Sequence, residues 1–266
     1  MKSKKTIIAA FMVLTVIILM ITDGILTKVR EDTEKENIYR GRYEECMEII
    51  SSFAANNNLD TDAYPEKIIE MLIKNPETEE FVLNYPLKKD NTEEYSLEEY
   101  KNTNEIPHLL QWDMRWGYKE YAGDIMALSG CGPVCLSMVA IYLTGNTELT
   151  PGYIAEFAER EGYASKNNGT LWLLMSEGAQ KLGLTSKEIP LHKNSMINAL
   201  REGSPLILIM KPGDFTTEGH FIVITDYSDE GFSVLDPNSE ARSSRKWTYE
   251  KIENQINNIW AFSFSG

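Results

Sequence analysis

One of the three cysteines stands where a helix would stabilise a thiolate. Cys131 directly precedes Gly132 and Pro133 at the predicted start of an apolar helix. Unpaired backbone N–H groups and the helix dipole at such a position lower the pKa of a thiol. Gly130 and Gly132 are expected to leave space for a substrate backbone to approach the sulfur. Cys131 is therefore a candidate nucleophile, the alternative being a structural core cysteine.

The other two cysteines fit structural positions better. Cys135 lies on an apolar stripe of the same predicted helix, and Cys46 lies on an earlier predicted helix. A total of three is odd, so disulfides cannot pair all of them, and at least one thiol is expected to be free. Two cysteines four residues apart on a helix also lack the geometry that a disulfide prefers.

A cysteine nucleophile needs a base, and the base needs a group that orients it. His220 follows Gly219 at the start of a predicted strand, HFIVITDY, and Asp236 ends the next predicted strand, FSVLD. The short turn SDEG makes these strands a hairpin, which would bring Asp236 beside His220. A carboxylate there can hold an imidazole in the tautomer that accepts a proton. The alternative for Asp236 is a turn cap before Pro237.

The elements that must position these residues follow from periodicity and turn chemistry. Helices are expected over residues 39–57, as two short helices between 64 and 85, and from 131 to a stop at 145. Thr150 and Thr170 are expected to start helices over 151–161 and 171–182, and a last helix is expected from 194 or 195 to 201. Strands are expected in the later runs PLILIM, HFIVITDY, FSVLD and IWAFSF. Helices first and an antiparallel sheet second indicate an α+β fold.

Five runs of the sequence resemble the double-glycine (bacteriocin-processing) peptidase family and its stand-alone papain-like relatives. They are IPHLLQWDMRWG, SGCGPVCLSMVAIYLTG, LREGSPLILIM, EGHFIVITDY and FSVLDPN, within about residues 104–264. The resemblance implies a papain-like cysteine peptidase fold. It implies Cys131 as nucleophile, His220 as general base and Asp236 as the group that orients the base. It also implies an oxyanion-hole role for Gln111, which would otherwise be interpreted as a loop residue.

The N-terminal region has the pattern of a membrane segment. Residues 6–22 carry no charge; Lys2, Lys4 and Lys5 precede them and Asp23 follows. A helix of this length reaches about 25 Å, the short end of a membrane span. The positive-inside rule then leaves the N-terminus in the cytoplasm and exports the rest. We expect an uncleaved signal-anchor and a single-pass protein at the cell membrane. The alternative is secretion after signal cleavage, although no A-x-A site follows.

The net charge of −14 combines 26 Lys and Arg with 40 Asp and Glu, and it argues against nucleic acid as a partner. A hydrophobic content of 42% excludes a wholly disordered chain. The acids concentrate between residues 60 and 105. The sequence therefore predicts three parts: a signal-anchor at 1–27, an acidic helical extracellular segment at 28–103 and a peptidase domain at 104–266.

Together these patterns predict an extracellular, membrane-anchored cysteine peptidase or amide hydrolase with a peptide or protein substrate. Two alternatives remain: a catalytically silent surface-binding module of the same fold, and a cell-wall amidase or transpeptidase that uses the same residues. No cofactor or metal is expected, because His108, His192 and His220 are dispersed and no C-x2-C pair occurs. His108 and His192 are interpreted as surface or packing residues. The sequence does not specify an oligomeric state.

Overall fold

The computed structural model describes residues 2–90, 93–101, 103–166 and 169–264, with side chains at residue 20 and from residue 22 onward. Contacts divide the chain into two compact units, Met1–Lys74 and Asn75–Gly266. Within the described residues, no helix combines the length and apolar character that a membrane span needs. Apart from Met20 and Thr22, the predicted membrane segment at residues 6–22 lies outside the residues whose side chains are described.

The first unit consists of two helices joined by a short turn. Helix α1 spans Lys2–Asn56 and helix α2 spans Glu66–Lys74. The helix predicted over residues 39–57 is the last part of α1. A 3-10 turn at Thr61–Ala63 joins α1 to α2, and the Asp60 side chain accepts a hydrogen bond from the Asp62 amide at its start, at 3.0 Å. The Asp60 carboxylate thus supplies an acceptor for an N–H group at the start of the turn.

The second unit contains eight α-helices among its described residues. They are α3 (Glu79–Lys88), α4 (Met126–Ser129), α5 (Cys131–Thr144), α6 (Pro151–Arg160), α7 (Glu177–Lys181), α8 (Lys193–Arg201), α9 (Glu240–Ser243) and α10 (Tyr249–Ile252). Short 3-10 helices lie at Pro76–Thr78, Glu98–Tyr100, Trp172–Met175 and Glu253–Gln255.

One six-stranded antiparallel sheet and two small hairpins complete this unit. The strands are β1 (Glu120–Tyr121), β2 (Asp124–Ile125), β3 (Ala164–Ser165), β4 (Gly169–Thr170), β5 (Leu184–Glu188), β6 (Leu206–Met210), β7 (His220–Ser228), β8 (Gly231–Leu235), β9 (Lys246–Trp247) and β10 (Ile256–Phe264). The sheet has the order β5-β10-β6-β7-β8-β9, while β1 pairs with β2 and β3 with β4. The predicted α+β fold with helices and an antiparallel sheet is confirmed.

Both faces of the sheet are covered by apolar side chains. Strand β6 is buried at every position. Its residues Ile207 and Ile209 belong to the cluster around α5, whereas Leu206 and Leu208 belong to a second cluster that includes residues of α8. Successive side chains of a strand point to opposite faces, so the unbroken apolar run LILIM is what a strand between two layers requires.

Helix α5 is the central helix of the unit. Every residue from 132 to 141 is buried, and α5 contacts α6 and β7. The helix ends at Gly145, whose φ of 66° is a left-handed conformation that glycine adopts without strain. Thr150 then starts α6, with its side chain accepting the Tyr153 amide at 3.2 Å. These stops and starts match the sequence prediction.

Two of the differences from the prediction lie between residues 170 and 188. The single helix expected over residues 171–182 is a 3-10 turn at Trp172–Met175 followed by α7, and Thr170 lies in β4 instead of capping a helix. Strand β5 was not predicted, because its sequence LTSKE is mostly polar. It lies at the sheet edge, where β10 supplies its only strand partner among the described residues.

The contacts divide the chain earlier than the predicted boundary at 103/104. Residues 75–103 belong to the second unit. Phe81 stacks on Tyr118 with ring centroids 4.1 Å apart, and Tyr95 packs on Trp116 at 5.4 Å. The three-part domain assignment stays a prediction.

Candidate active site

Cys131 is the first residue of α5 and is half-buried. Its sulfur interacts with the His220 side chain and with the backbone N–H groups of Phe221 and Gly132. Burial alone would raise the pKa of this thiol. The contact with His220 and the two N–H groups outweigh burial, and the pKa of Cys131 lies below its usual value. The thiolate predicted from the helix position thus has specific partners.

The two glycines beside Cys131 are needed for packing within the protein. A Cβ atom at Gly132 would lie 2.5 Å from Cγ2 of Thr170, and one at Gly130 would lie 2.5 Å from the carbonyl oxygen of Met126. Thr170 is buried, and its hydroxyl lies 2.8 Å from that of Tyr121. Gly132 thus allows β4 to approach the start of α5, and Gly130 allows the close approach of Met126 in α4. The expectation that these glycines also leave space for a substrate stays a prediction.

His220 opens strand β7 and is only 6% exposed. Its Nε2 lies 2.8 Å from Oδ1 of Asp236. With Nε2 occupied by the carboxylate, Nδ1 is the ring nitrogen left to face the sulfur of Cys131. Burial by itself would lower the pKa of His220. The Asp236 charge and the contact with Cys131 outweigh burial and raise the pKa to about 10. The imidazolium form is therefore favoured.

Asp236 directly follows strand β8 and is fully buried. The β7–β8 hairpin pairs Val223 with Leu235, which returns the chain toward the start of β7. Oδ1 of Asp236 also accepts the Asn238 amide at 2.8 Å, and Oδ2 accepts Nε of Arg242. Burial raises the pKa of Asp236. The charges of His220 and Arg242 outweigh it, so the pKa is lowered and the carboxylate is ionised.

Gln111 links the segments that carry Cys131 and Asp236. Its backbone N–H donates to the carbonyl oxygen of Pro237, and its side-chain Nε2 donates to that of Ala127 in α4, both at 2.6 Å. Only the amide nitrogen can donate to a carbonyl, so this contact fixes which way the amide points. The second N–H of Nε2 remains. Oε1 of Gln111 is buried and has no hydrogen-bond partner among the described residues.

The structure thus brings together the residues predicted from the sequence. Cys131, His220 and Asp236 form one chain of contacts, and Gln111 is tied to the segments on both sides. The chemical roles of these four residues stay a prediction.

Three further residues hold the Asp236 segment and were not predicted. Arg242 and Asn238 donate to the carboxylate, and Nε2 of His108 lies 2.9 Å from the Asp236 carbonyl oxygen. Asn238 had a local signal, since it follows Asp236-Pro237 in a turn sequence. His108 was interpreted as a surface or packing residue, and no local pattern connects it or Arg242 to residue 236.

The remaining cysteines lie apart from this chemistry. Cys135 is fully buried, and burial together with the charge of Cys131 raises its pKa. Cys46 is buried in the first unit. Within the described residues, no group of three or more His, Cys, Asp or Glu side chains is placed to hold a metal ion. The prediction that the protein uses no metal or cofactor stays a prediction.

Residues 103–263 match the Peptidase_C39 like family, which is more than half of the chain. The chain therefore belongs to this family of peptidases, and the resemblance inferred from the sequence is confirmed at the level of the family. A comparison with curated proteins gives no match.

Two solved structures are similar to the chain. The peptidase domain of Streptococcus ComA, described as a bi-functional ABC transporter involved in a quorum-sensing pathway, is 21% identical with a TM-score of 0.40. The match covers 51% of this chain and 90% of that one. A C39-like peptidase from Bacillus anthracis is 15% identical with a TM-score of 0.40, covering 64% of this chain and 98% of that one.

The pH dependence of alkylation reports on the contacts of Cys131. Iodoacetamide is expected to modify Cys131 at a lower pH than an ordinary thiol requires, because the thiolate is the reacting form. His220→Ala removes a contact that lowers the thiol pKa while burial, which raises it, remains. The rate profile should then move to higher pH, and a thiol pKa higher by one lowers the rate on the acidic side of the profile about tenfold. Mass spectrometry of the modified peptide measures this rate.

Two controls belong to the same measurement. Asp236→Asn removes the charge that contributes most to the raised pKa of His220, which is about 10. The pH at which His220 loses its proton should therefore fall. Cys135, with its raised pKa, should stay unmodified in the folded protein. A Cys131 profile that His220→Ala leaves in place would contradict the contact between the two side chains.

Proposed function

We propose that the protein is an extracellular, membrane-anchored cysteine peptidase that hydrolyses peptide or amide bonds through an acyl-enzyme on Cys131. The observation that carries the proposal is the contact chain of Cys131, His220 and buried Asp236, with Nε2 of His220 2.8 Å from the carboxylate. A nucleophile beside a base that a third group orients is the arrangement covalent catalysis needs. Membership of a peptidase family supports a peptide or protein substrate.

In the first step, the Cys131 thiolate attacks the carbonyl carbon of the scissile bond and forms a C–S bond. The carbonyl electrons move to oxygen, which becomes an oxyanion. The backbone N–H of Cys131 and the remaining N–H of Gln111 are the proposed donors to this oxyanion. The His220 imidazolium gives its proton to the leaving nitrogen, the C–N bond breaks, and the amine departs. The product on the protein is a thioester.

In the second step, neutral His220 takes a proton from water as the water oxygen attacks the thioester carbonyl. The C–S bond breaks, the carboxylic acid leaves, and the proton on His220 restores the thiolate–imidazolium pair. Asp236 stays ionised throughout, because it holds the imidazole orientation and stabilises its charge. An amine in place of water would give transpeptidation by the same residues, so the products identify the acceptor.

Cys131→Ala should abolish cleavage, because it removes the atom that carries the acyl group. We expect a loss of at least about a thousandfold when the purified protein digests a mixed peptide library. Mass spectrometry of the new termini measures the loss and defines the cleavage-site preference. Running the digest with and without an added primary amine separates hydrolysis from transpeptidation.

Cys46→Ala is the matched control, since this cysteine lies in the first unit. It should cleave the library as the unmodified chain does. If the folded protein has a Cys131 that iodoacetamide can alkylate, but the untreated protein cleaves no peptide, the silent binding module would be favoured. Cleavage that survives Cys131→Ala would refute the proposed nucleophile.

Gln111→Met tests the proposed oxyanion donor. The substitution keeps most of the side-chain volume and removes both amide N–H groups. We expect the peptide cleavage rate to fall about a hundredfold, whereas alkylation of Cys131 by iodoacetamide changes little because that reaction forms no oxyanion. Parallel measurement of both rates is the test. Equal losses in the two reactions, or no loss in either, would count against the oxyanion role.

Membrane anchoring through residues 6–22 completes the proposal. It is supported by the uncharged run and by the lysines that precede it. The full chain should sediment with membranes and resist alkaline carbonate, while its second unit should be cut by a protease added outside intact cells. The chain lacking residues 1–27 should be soluble. Full-length protein in the soluble fraction of lysed cells would refute the anchor.

A further inference from the structure

The loop that carries Asp236 is organised around a four-residue helix. Helix α9 follows Asp236 closely, and Ser239 caps it by accepting the Arg242 amide at 3.1 Å. The Arg242 carbonyl oxygen accepts Nε1 of Trp247 at 2.9 Å. The Arg242 backbone is therefore held at both its amide and its carbonyl. That places its guanidinium Nε on Oδ2 of Asp236.

So short a helix depends on acceptors from outside. The first N–H groups of any helix lack partners within it, and in α9 these make up most of the element. Glu77 supplies the acceptors: its Oε2 accepts the Glu240 amide at 2.6 Å. Its Oε1 accepts the Ser239 hydroxyl at 2.6 Å and the Ala241 amide at 3.4 Å. One carboxylate thus covers the start of α9.

A second contact comes from the same segment. Nδ2 of Asn75 donates to the carbonyl oxygen of Asn238 at 2.6 Å, and Asn75 also starts the 3-10 turn that presents Glu77. Both residues precede the family match, which begins at residue 103. A segment outside the matched region therefore holds the loop that follows Asp236.

We propose that Glu77 and Arg242 are positioning residues of the active site: Glu77 holds the start of α9, and α9 holds Arg242 against Asp236. The proposal rests on the function proposed above and adds residues 75–78 to the part of the chain that catalysis requires. Neither residue contacts Cys131. They act through the orientation of Asp236, which in turn orients His220.

The charged and titratable groups around the site are few. Asp236 faces His220 from β7, Arg242 from α9 and the thiol of Cys135 from α5. The imidazole of His108 lies against the Asp236 carbonyl oxygen, at 2.9 Å. Cys131 faces His220, Tyr121 and Cys135. Glu77 contacts none of these directly. Replacing Glu77 removes a distant negative charge and also removes the support for α9. These two changes have opposite effects on the pKa of the Cys131 thiol.

Glu77→Ala separates the two effects. Loss of a negative charge at a distance would favour the thiolate and lower the apparent pKa of Cys131. Loss of the support releases Arg242 and Asp236, weakens the contact with His220, and raises that pKa. We expect the alkylation profile of Cys131 to lie about one pH unit higher, with a rate about tenfold lower on its acidic side. Iodoacetamide is the probe, in the absence of any peptide substrate.

Two variants at nearby positions serve as controls. Glu79→Ala removes the same charge from an exposed position two residues away and should leave the profile in place. Glu77→Gln keeps one carbonyl oxygen as an acceptor and should move the profile less than Glu77→Ala does. It also keeps the test open if Glu77→Ala fails to fold, as thermal unfolding would reveal.

Arg242→Met completes the cycle. It should move the profile in the same direction, and adding Glu77→Ala to it should change little further, because both substitutions break one chain of contacts. Additive effects of the two substitutions, or a Glu77→Ala variant with a lower melting temperature but an unmoved profile, would overturn the proposal. If Cys131 reacts like an ordinary thiol in the protein without substitutions, that result would instead refute the proposed function on which this inference rests.

Discussion

A carboxylate that is fully removed from water needs donors on every side, and Asp236 imposes this requirement on the surrounding elements. The Asn238 amide, the His220 imidazole and the Arg242 guanidinium meet it. Each donor comes from a different part of the chain: the turn, strand β7 and helix α9. Removing one partner of such a buried ion lowers the free energy of unfolding by about 3–5 kcal/mol. The turn, strand β7 and helix α9 are therefore held together by charge as well as by packing.

The nucleophile depends on a similar balance. Helix α5 is almost wholly apolar and buried, and its first residue meets the start of β7. Burial by itself would leave the Cys131 thiol protonated and unreactive. The imidazole of His220 and two backbone N–H groups reverse this, which means that the thiolate exists only while the sheet and the helix keep their mutual position. One helical turn further on, Cys135 has burial without such partners, and its pKa is raised.

Local patterns in the sequence predict much of this arrangement. The helix start at Cys131-Gly132-Pro133 and the hairpin turn SDEG are enough to predict that Cys131, His220 and Asp236 act together. Gln111 entered only through the family resemblance, because an amide in a loop has no periodicity of its own. The α+β class likewise followed from the order of helical and alternating runs.

Other features depend on tertiary contacts and had no local signal. Strand β5 is a polar edge strand whose place is set by β10, and Thr170 belongs to a strand that packs over Gly132 instead of capping a helix. Arg242 and His108 are 6 and 128 residues from Asp236 in the sequence. Their contacts with it depend on tertiary packing, which no short sequence pattern predicts.

The contact between Glu77 and Ser239 spans 162 residues of the chain. Contacts of such separation form late, because the intervening chain must first be ordered. Cys131 is synthesised before residues 220 and 221, so a growing chain at first lacks the His220 side chain and the Phe221 N–H that lower the pKa of its thiol. The reactive pair arises only when both ends of the second unit have met. Helix α9 and its contact with Glu77 can therefore form only once the chain is complete to residue 243.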